Sequence, residues 1–194
     1  RKFLETDKRG MYTTKDSINA LPIGKESDAD FVKLIFNPFG KTSLIQFRAA
    51  INGLSETLSP SWDSNKFVGS PFSYYTYSGI ERSVSFNFKV FSLNESEHKI
   101  AWQKLSALTN MVYPLDYSGI AVIPPIIQFT LGDMYHAKAS FIESLSYTID
   151  DSYPWEIEKK GMILPMIVDV AVTLKFIESK SQAKSQNYST KPQT

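Results

Sequence analysis

Few residues in this sequence are equipped for chemistry, and their spacing argues against most of them. There are two histidines, His98 and His136, and no cysteine, which excludes disulfides, thiolate metal sites and a cysteine nucleophile. Neither histidine has an acidic or histidine neighbour at metal-ligand spacing. On a helix Glu95 would stand one turn before His98, an i,i+3 pair that ordinary exposed helix surfaces carry. Asp150-Asp151 offers half of a carboxylate pair or a cation site, but Ser152 and Pro154 follow at once and the run reads as a turn. Gly132-Asp133 likewise reads as a hairpin turn before it reads as a ligand loop. No glycine-rich phosphate cradle, Walker-type loop, dinucleotide fingerprint, nucleophile elbow or helical zinc pair occurs. The expectation is a protein that is not an enzyme, with no catalytic residue, no metal ligand and no cofactor.

The run Phe72-Ser73-Tyr74-Tyr75-Thr76-Tyr77 is chemically richer. On a strand Phe72 and Tyr74 share one face and Tyr75 and Tyr77 the other. Three uses are open: stacking on a base or sugar, plain core, or one face in the core and one against a partner, where Tyr and Trp bring area with a polar tip. No basic groove accompanies the run. Lys and Arg number 21 against 20 Asp and Glu, a formal charge of +1, so nothing marks nucleic acid or an anionic membrane as the dominant partner.

The elements that must hold these residues are legible in the pattern. At 194 residues, 42% hydrophobic and 13% aromatic, the chain is long enough for one domain with a core of its own, or one domain with sizeable extensions. No apolar run approaches the roughly 20 residues that span a bilayer. The N-terminus has no apolar signal core, and its first residue is Arg1 rather than Met, as in a segment of a longer chain. Residues 1–30 are charged and aperiodic and read as an extended arm. Residues 180–194 are rich in Ser, Gln, Lys and Asn and read as a polar tail. Residues 31–179 form the predicted domain.

Within it, Phe31 to Asn37 predicts a strand closed by Pro38-Phe39-Gly40, and Leu44 to Leu54 a second, with Ile45, Phe47, Ala49 and Ile51 on one face. Ser59-Pro60-Ser61-Trp62-Asp63 reads as a break. The aromatic strand from Phe72 to Tyr77 follows, and Ser78-Gly79 as a turn leads into Ser83–Val90, where Val84, Phe86, Phe88 and Val90 alternate with polar residues. A helix over about residues 94–113 is predicted next: Asn94 caps it, Glu97 is its capping-box partner, Ala101, Leu105, Leu108 and Val112 line one side, and Pro114 stops it. Ile126–Leu131 and Met134–Ile142 predict a hairpin about Gly132-Asp133, and Leu145, Tyr147 and Ile149 one more short strand. The last strand, Met166 to Ile177, would extend roughly 40 Å, about twice the common strand length. Either it bends and serves two sheets, or part of it pairs with a neighbouring subunit. Its second face carries Ile167, Ala171 and Ile177 among polar residues, as if partly covered by something else.

Taken in order, the runs Phe47–Trp62, Tyr74–Val90, Ile100–Pro114, Leu131–Ile157 and Pro165–Ile177 resemble the baseplate tail-tube cap or initiator proteins of T4-like contractile-tailed phages. The resemblance implies a mainly β, tail-tube-like sandwich or barrel with one flanking helix, closing with other copies into a sixfold ring around a channel. It implies a virion protein of the tail baseplate, assembled in the host cytoplasm, with tail-tube subunits above and hub proteins below. The genome would pass through the lumen without sequence-specific contact, and no membrane is involved. In that setting Trp62, Tyr75 and Tyr77 are the candidate interface aromatics, and Ile167, Ala171 and Ile177 mark the candidate ring seam. The alternative is a free-standing β-sandwich module binding a glycan or peptide through Tyr74–Tyr77.

Overall fold

The computed structural model describes residues 22–26, 32–39, 43–48, 50–92, 95–114, 123–155 and 163–178. The C-terminal tail, most of the N-terminal arm, Asn94 as a cap and Ala49 as a core residue lie outside the described residues. The rest is mainly β: β1 (Leu34–Pro38), β2 (Ile45–Phe47), β3 (Ala50–Lys66), β4 (Ser73–Phe91), one helix α1 (Glu95–Asn110), then β5 (Ile127–Leu131), β6 (Tyr135–Thr148) and β7 (Ile167–Phe176). The strands form one antiparallel sheet in the order β2-β1-β5-β6-β7-β4-β3.

That order places β2 and β3 at opposite ends of the sheet, although only two residues separate them in sequence. Three residue steps reach about 10 Å at most, so the sheet must roll until its two ends meet. The aromatic core reports the closure directly. Phe88 on β4 lies 5.3 Å from Phe47 on β2 and 6.4 Å from Phe36 on β1, ring centre to ring centre, although β1 and β4 are far apart in the strand order. The result is a barrel-like sandwich of the expected mainly β, tail-tube-like class. Its interior is filled by the alternating residues Val84, Phe86, Phe88 and Val90 of β4, by Val168, Val170, Val172 and Leu174 of β7, and by Phe36, Phe47, Phe129 and Tyr135. The helix adds Ala101, Leu105, Leu108 and the following Met111 to that core, the 3.6-residue stripe of an amphipathic helix.

Several boundaries differ from expectation for identifiable reasons. The stretch from Leu44 to Leu54 is not one strand, because the chain leaves one sheet end and enters the other between Phe47 and Ala50. Pro60 does not break β3, because β3 is an edge strand among the described residues, where a missing N–H is tolerated. Ser78-Gly79 is no turn but a register shift, Ser61 facing Gly79 and Trp62 facing Tyr77, so the aromatic run and Ser83–Val90 belong to one strand of 19 residues. Leu145 and Tyr147 continue β6 past a shift between Ile142 and Ser144. Pro38 is the last residue of β1 and Phe39 a turn residue after it, with Gly40 outside the described residues. The Gly132-Asp133 hairpin is present, with Gly132 at φ 50°.

Both sides of β7 are occupied, by β4 over Ile167–Lys175 and by β6 over Asp169–Phe176. Over Asp169–Lys175 both edges of the strand are therefore used within the sheet, whereas Ile167 and Val168 are paired on the β4 side alone.

Candidate interaction surface

The outer halves of β3 and β4 leave the barrel as a two-stranded ribbon. β7 accompanies β4 only as far as Ser83; beyond it, residues from Arg82 down to Ser73 pair with β3 alone, ending at Lys66 opposite Ser73. Two irregularities determine which side chains share a face. Near the barrel, Asn52 faces Asn87 and Ser55 faces Ser85, so β3 carries an extra residue about Gly53, whose φ is 64°. Farther out, the shift at Ser78 adds one residue to β4. Each bulge reverses the alternation of the strand that carries it.

Following the partners outward from Val84, the face continuous with the core bears Leu58 with Arg82, Pro60 with Ile80, Trp62 with Tyr77, and Ser64 with Tyr75. The opposite face bears Thr57 with Ser83, Ser59 with Glu81, Ser61 with Gly79, Asp63 with Thr76, and Asn65 with Tyr74. Trp62, Tyr75 and Tyr77 are thus brought onto one face, with Trp62 edge-on to Tyr77 at 5.0 Å. Leu58 and Ile80 continue their strip toward the core. Yet the strip is uncovered: Trp62 is 57% exposed, Tyr75 63%, Leu58 50% and Ile80 48%. The tip carries further exposed apolar residues, Phe67, Val68 and Phe72, with Phe67 edge-on to Tyr74 of the opposite face at 6.2 Å. It is ordered locally, Gly69 at φ 87° and the Ser70 amide donating to the Phe67 carbonyl at 3.1 Å.

The root is polar and buried. Arg82 is 4% exposed; its guanidinium donates to Glu56 and reaches Glu178 at 3.4 Å. It lies 5.7 Å from the Tyr135 ring centre and 5.3 Å from that of Phe176. The Tyr135 hydroxyl donates to the second oxygen of Glu56 at 2.8 Å. Burial works against the Arg82 charge, while the Glu56 hydrogen bond and charge hold it in place, so its value is raised further.

Ile167, Ala171 and Ile177 lie elsewhere. Ile167 and Ala171 are on the outside of the barrel, opposite the core face, where Ala171 is flanked by Asn87 and Ser146, and Ile177 follows the end of β7 with its amide bonded to the Ala139 carbonyl. This outer face carries hydroxyls and compensated charges. Lys89 donates to the Tyr153 hydroxyl at 2.6 Å and pairs with Asp169; Lys175 pairs with Glu143 and Glu81. Those partners, Tyr153 first for Lys89 and Glu143 first for Lys175, raise both ammonium values.

The chemically equipped residues stay apart. His98 is buried rather than on an exposed surface, its Nδ1 2.9 Å from the Ser92 hydroxyl, whereas His136 is exposed on β6. Asp150 accepts from the Ser152 amide at 2.8 Å, as its turn requires, and the Ser152 hydrogen bonds lower its value. Among the described residues no group of three or more His, Cys, Asp or Glu could hold a metal ion, and no helix is long and apolar enough to cross a membrane. A cleft of about 420 Å³ at the C-terminal end of α1 is lined by residues that include Met111, Tyr113, Pro125 and Ile126.

No family model and no curated protein matches the chain. Among solved structures it is similar to a chain from the tail of an empty gene transfer agent particle of C6 symmetry (11% identity over 80% of this chain and 96% of that one, TM-score 0.37). It is also similar to a chain from the virion of a native gene transfer agent particle (9% identity, 80% and 96% covered, TM-score 0.38). A third, from the sixfold-symmetrised baseplate of the anti-feeding prophage, is 10% identical over 79% and 93% of the two chains, with a TM-score of 0.35.

Proposed function

We propose that this chain is a structural subunit of a contractile phage-type tail, closing with other copies into a ring at the baseplate that caps the hub and templates the tail tube. The observation that carries the reading is the ribbon. An isolated two-stranded ribbon is marginal in water, and this one turns an aromatic and aliphatic strip to solvent, the signature of a surface made to be covered. Among the described residues no other strand pairs with β3 along its outer side or with β4 beyond Ser83. Two different edges on one subunit suit a head-to-tail contact, the kind that closes into rings, whereas a monomer would be expected to blunt them. A complete ring would spare the first tube subunits the cost of forming one alone.

In this reading Trp62, Tyr75 and Tyr77 make the principal contact between copies. Ile167, Ala171 and Ile177 contribute through side chains on the outer face, since β7 is paired on both edges over Asp169–Lys175. The outer face, with its paired lysines, suits a surface past which nucleic acid moves without being held. Replacing Trp62 and Tyr77 together by Asp tests the assignment. The variant is expected to remain folded by circular dichroism and to run as a monomer where the parent gives rings by negative-stain imaging and native mass spectrometry. Intact hexamers in the variant would remove the ribbon from the interface. A parent that stays monomeric and binds a glycan or peptide saturably would favour the binding-module alternative instead.

A further inference from the structure

The ribbon can act as a docking arm only if its direction relative to the barrel is defined, and its own hydrogen bonds do not define it. Among the described residues β4 from Arg82 outward has β3 as its sole strand partner, so that pair can swing as a unit about its root. What crosses the root is the buried cluster of Arg82, Glu56, Tyr135, Phe176 and Glu178. We propose that this cluster is a clamp that sets the angle of the ribbon, with Arg82 as the positioning residue; the consequence for assembly rests on the ribbon's proposed role as the interface.

The geometry suits the task. Arg82 is the first residue of β4 beyond its pairing with β7, and its side chain turns to the core face, where the barrel ends. Its guanidinium is held by Glu56 from β3, by the rings of Tyr135 on β6 and Phe176 on β7, and by Glu178 just past β7. Tyr135 closes the circuit by donating to Glu56. Contacts from both ribbon strands and from two barrel strands thus converge on one planar cation, which stacks and donates in fixed directions. An apolar plug would fill the same space without directional preference. If the clamp keeps one ribbon angle populated, loss of that angle lowers the fraction of competent subunits, and apparent association weakens by the same factor, about tenfold for a fall to one tenth.

The absence of cysteine from the chain allows the angle to be measured directly. Spin labels at Ser70→Cys on the tip and Asp133→Cys on the β5–β6 turn report the tip-to-barrel distance in the full chain, diluted below assembly. The parent is expected to give a single narrow distance distribution. Arg82→Met combined with Glu56→Leu, which removes both charges of the central pair together, is expected to lose it while the barrel stays folded by circular dichroism. Arg82→Lys, a milder change that keeps the charge but not the fork, is expected to broaden it partially and serves if the double variant does not fold. A broad distribution in the parent, or a narrow one in the double variant or in Arg82→Lys, overturns the clamp. These distances are read in single subunits, so they remain informative if Trp62 and Tyr77 prove irrelevant to assembly; in that case only the effect on association is lost.

Discussion

Lys104 shows how a single buried residue couples the fold to pH. It stands on the core side of α1, almost wholly buried, its ammonium donating to the Gln46 carbonyl at 2.8 Å and lying 5.9 Å from the Phe47 ring centre. The helix is thereby tied to β2, at the point where the sheet closes. Burial lowers its value from 10.5 to about 8. Below pH 8 the folded and unfolded chains both carry the proton, and the cost of burying the charge is present in full. Between about pH 8 and 10.5 the unfolded chain binds more proton than the folded one, so unfolding free energy rises with pH. The rise from this group is on the order of 3 kcal/mol. Urea denaturation across that range is expected to show it in the parent and not in Lys104→Met; parallel curves would discount the burial. Neither Lys104 nor Arg82 is conspicuous in sequence, because charge type suggests solvent. Their positions were nonetheless encoded. Lys104 falls between Ala101 and Leu108 on the apolar stripe, and Arg82 continues the alternation of Val84, Phe86 and Phe88.

At the scale of elements, two bulges keep the apolar side of the ribbon continuous with the core. Ile51 pairs with Phe88 and Glu56 with Val84, five positions apart on β3, an odd number. Both face inward only because the extra residue at Gly53 reverses the alternation between them. Gly53 holds φ 64°, and a Cβ there would meet only the Asn87 amide at 3.8 Å, so a side chain is opposed by backbone conformation and not by space. Gly79, on β4, has open space and no such φ. Gly53→Ala is therefore expected to lower stability by about 1–2 kcal/mol and Gly79→Ala to change it little, in thermal denaturation of the two side by side. Equal effects would mean that the bulge is not what holds the register. In sequence the alternation of β4 near the core and the helical stripe were plain, whereas the bulges were not: Ser78-Gly79 has turn composition, and only the partner strand distinguishes a turn from a bulge.

For the whole molecule, stability is expected to be distributed unevenly. The barrel buries its aromatic core between rolled sheet and helix, but the ribbon rests on its own hydrogen bonds and on its root. Local opening should therefore be far easier in Trp62–Tyr77 than in β7, whose strand is paired on both sides and whose core residues are buried. Hydrogen exchange on the dilute chain is expected to show fast amides in the outer ribbon and slow ones at Val170 and Val172, with the ribbon gaining protection when copies assemble. Unchanged ribbon exchange in assembled particles would contradict its burial there.

The mainly β class, the helix and its core stripe, and the inward residues of β4 and β7 could be read along the chain. These follow from short-range periodicity, which a strand or helix expresses whatever its neighbours are. Only the tertiary structure decided that β2 and β3 meet at the closure of a rolled sheet, that β7 lies inside it, and that Trp62, Tyr75 and Tyr77 share one exposed face. Those outcomes depend on which strand lies beside which and on where a bulge shifts the register, and pairing between residues distant in the chain leaves no periodic trace along it.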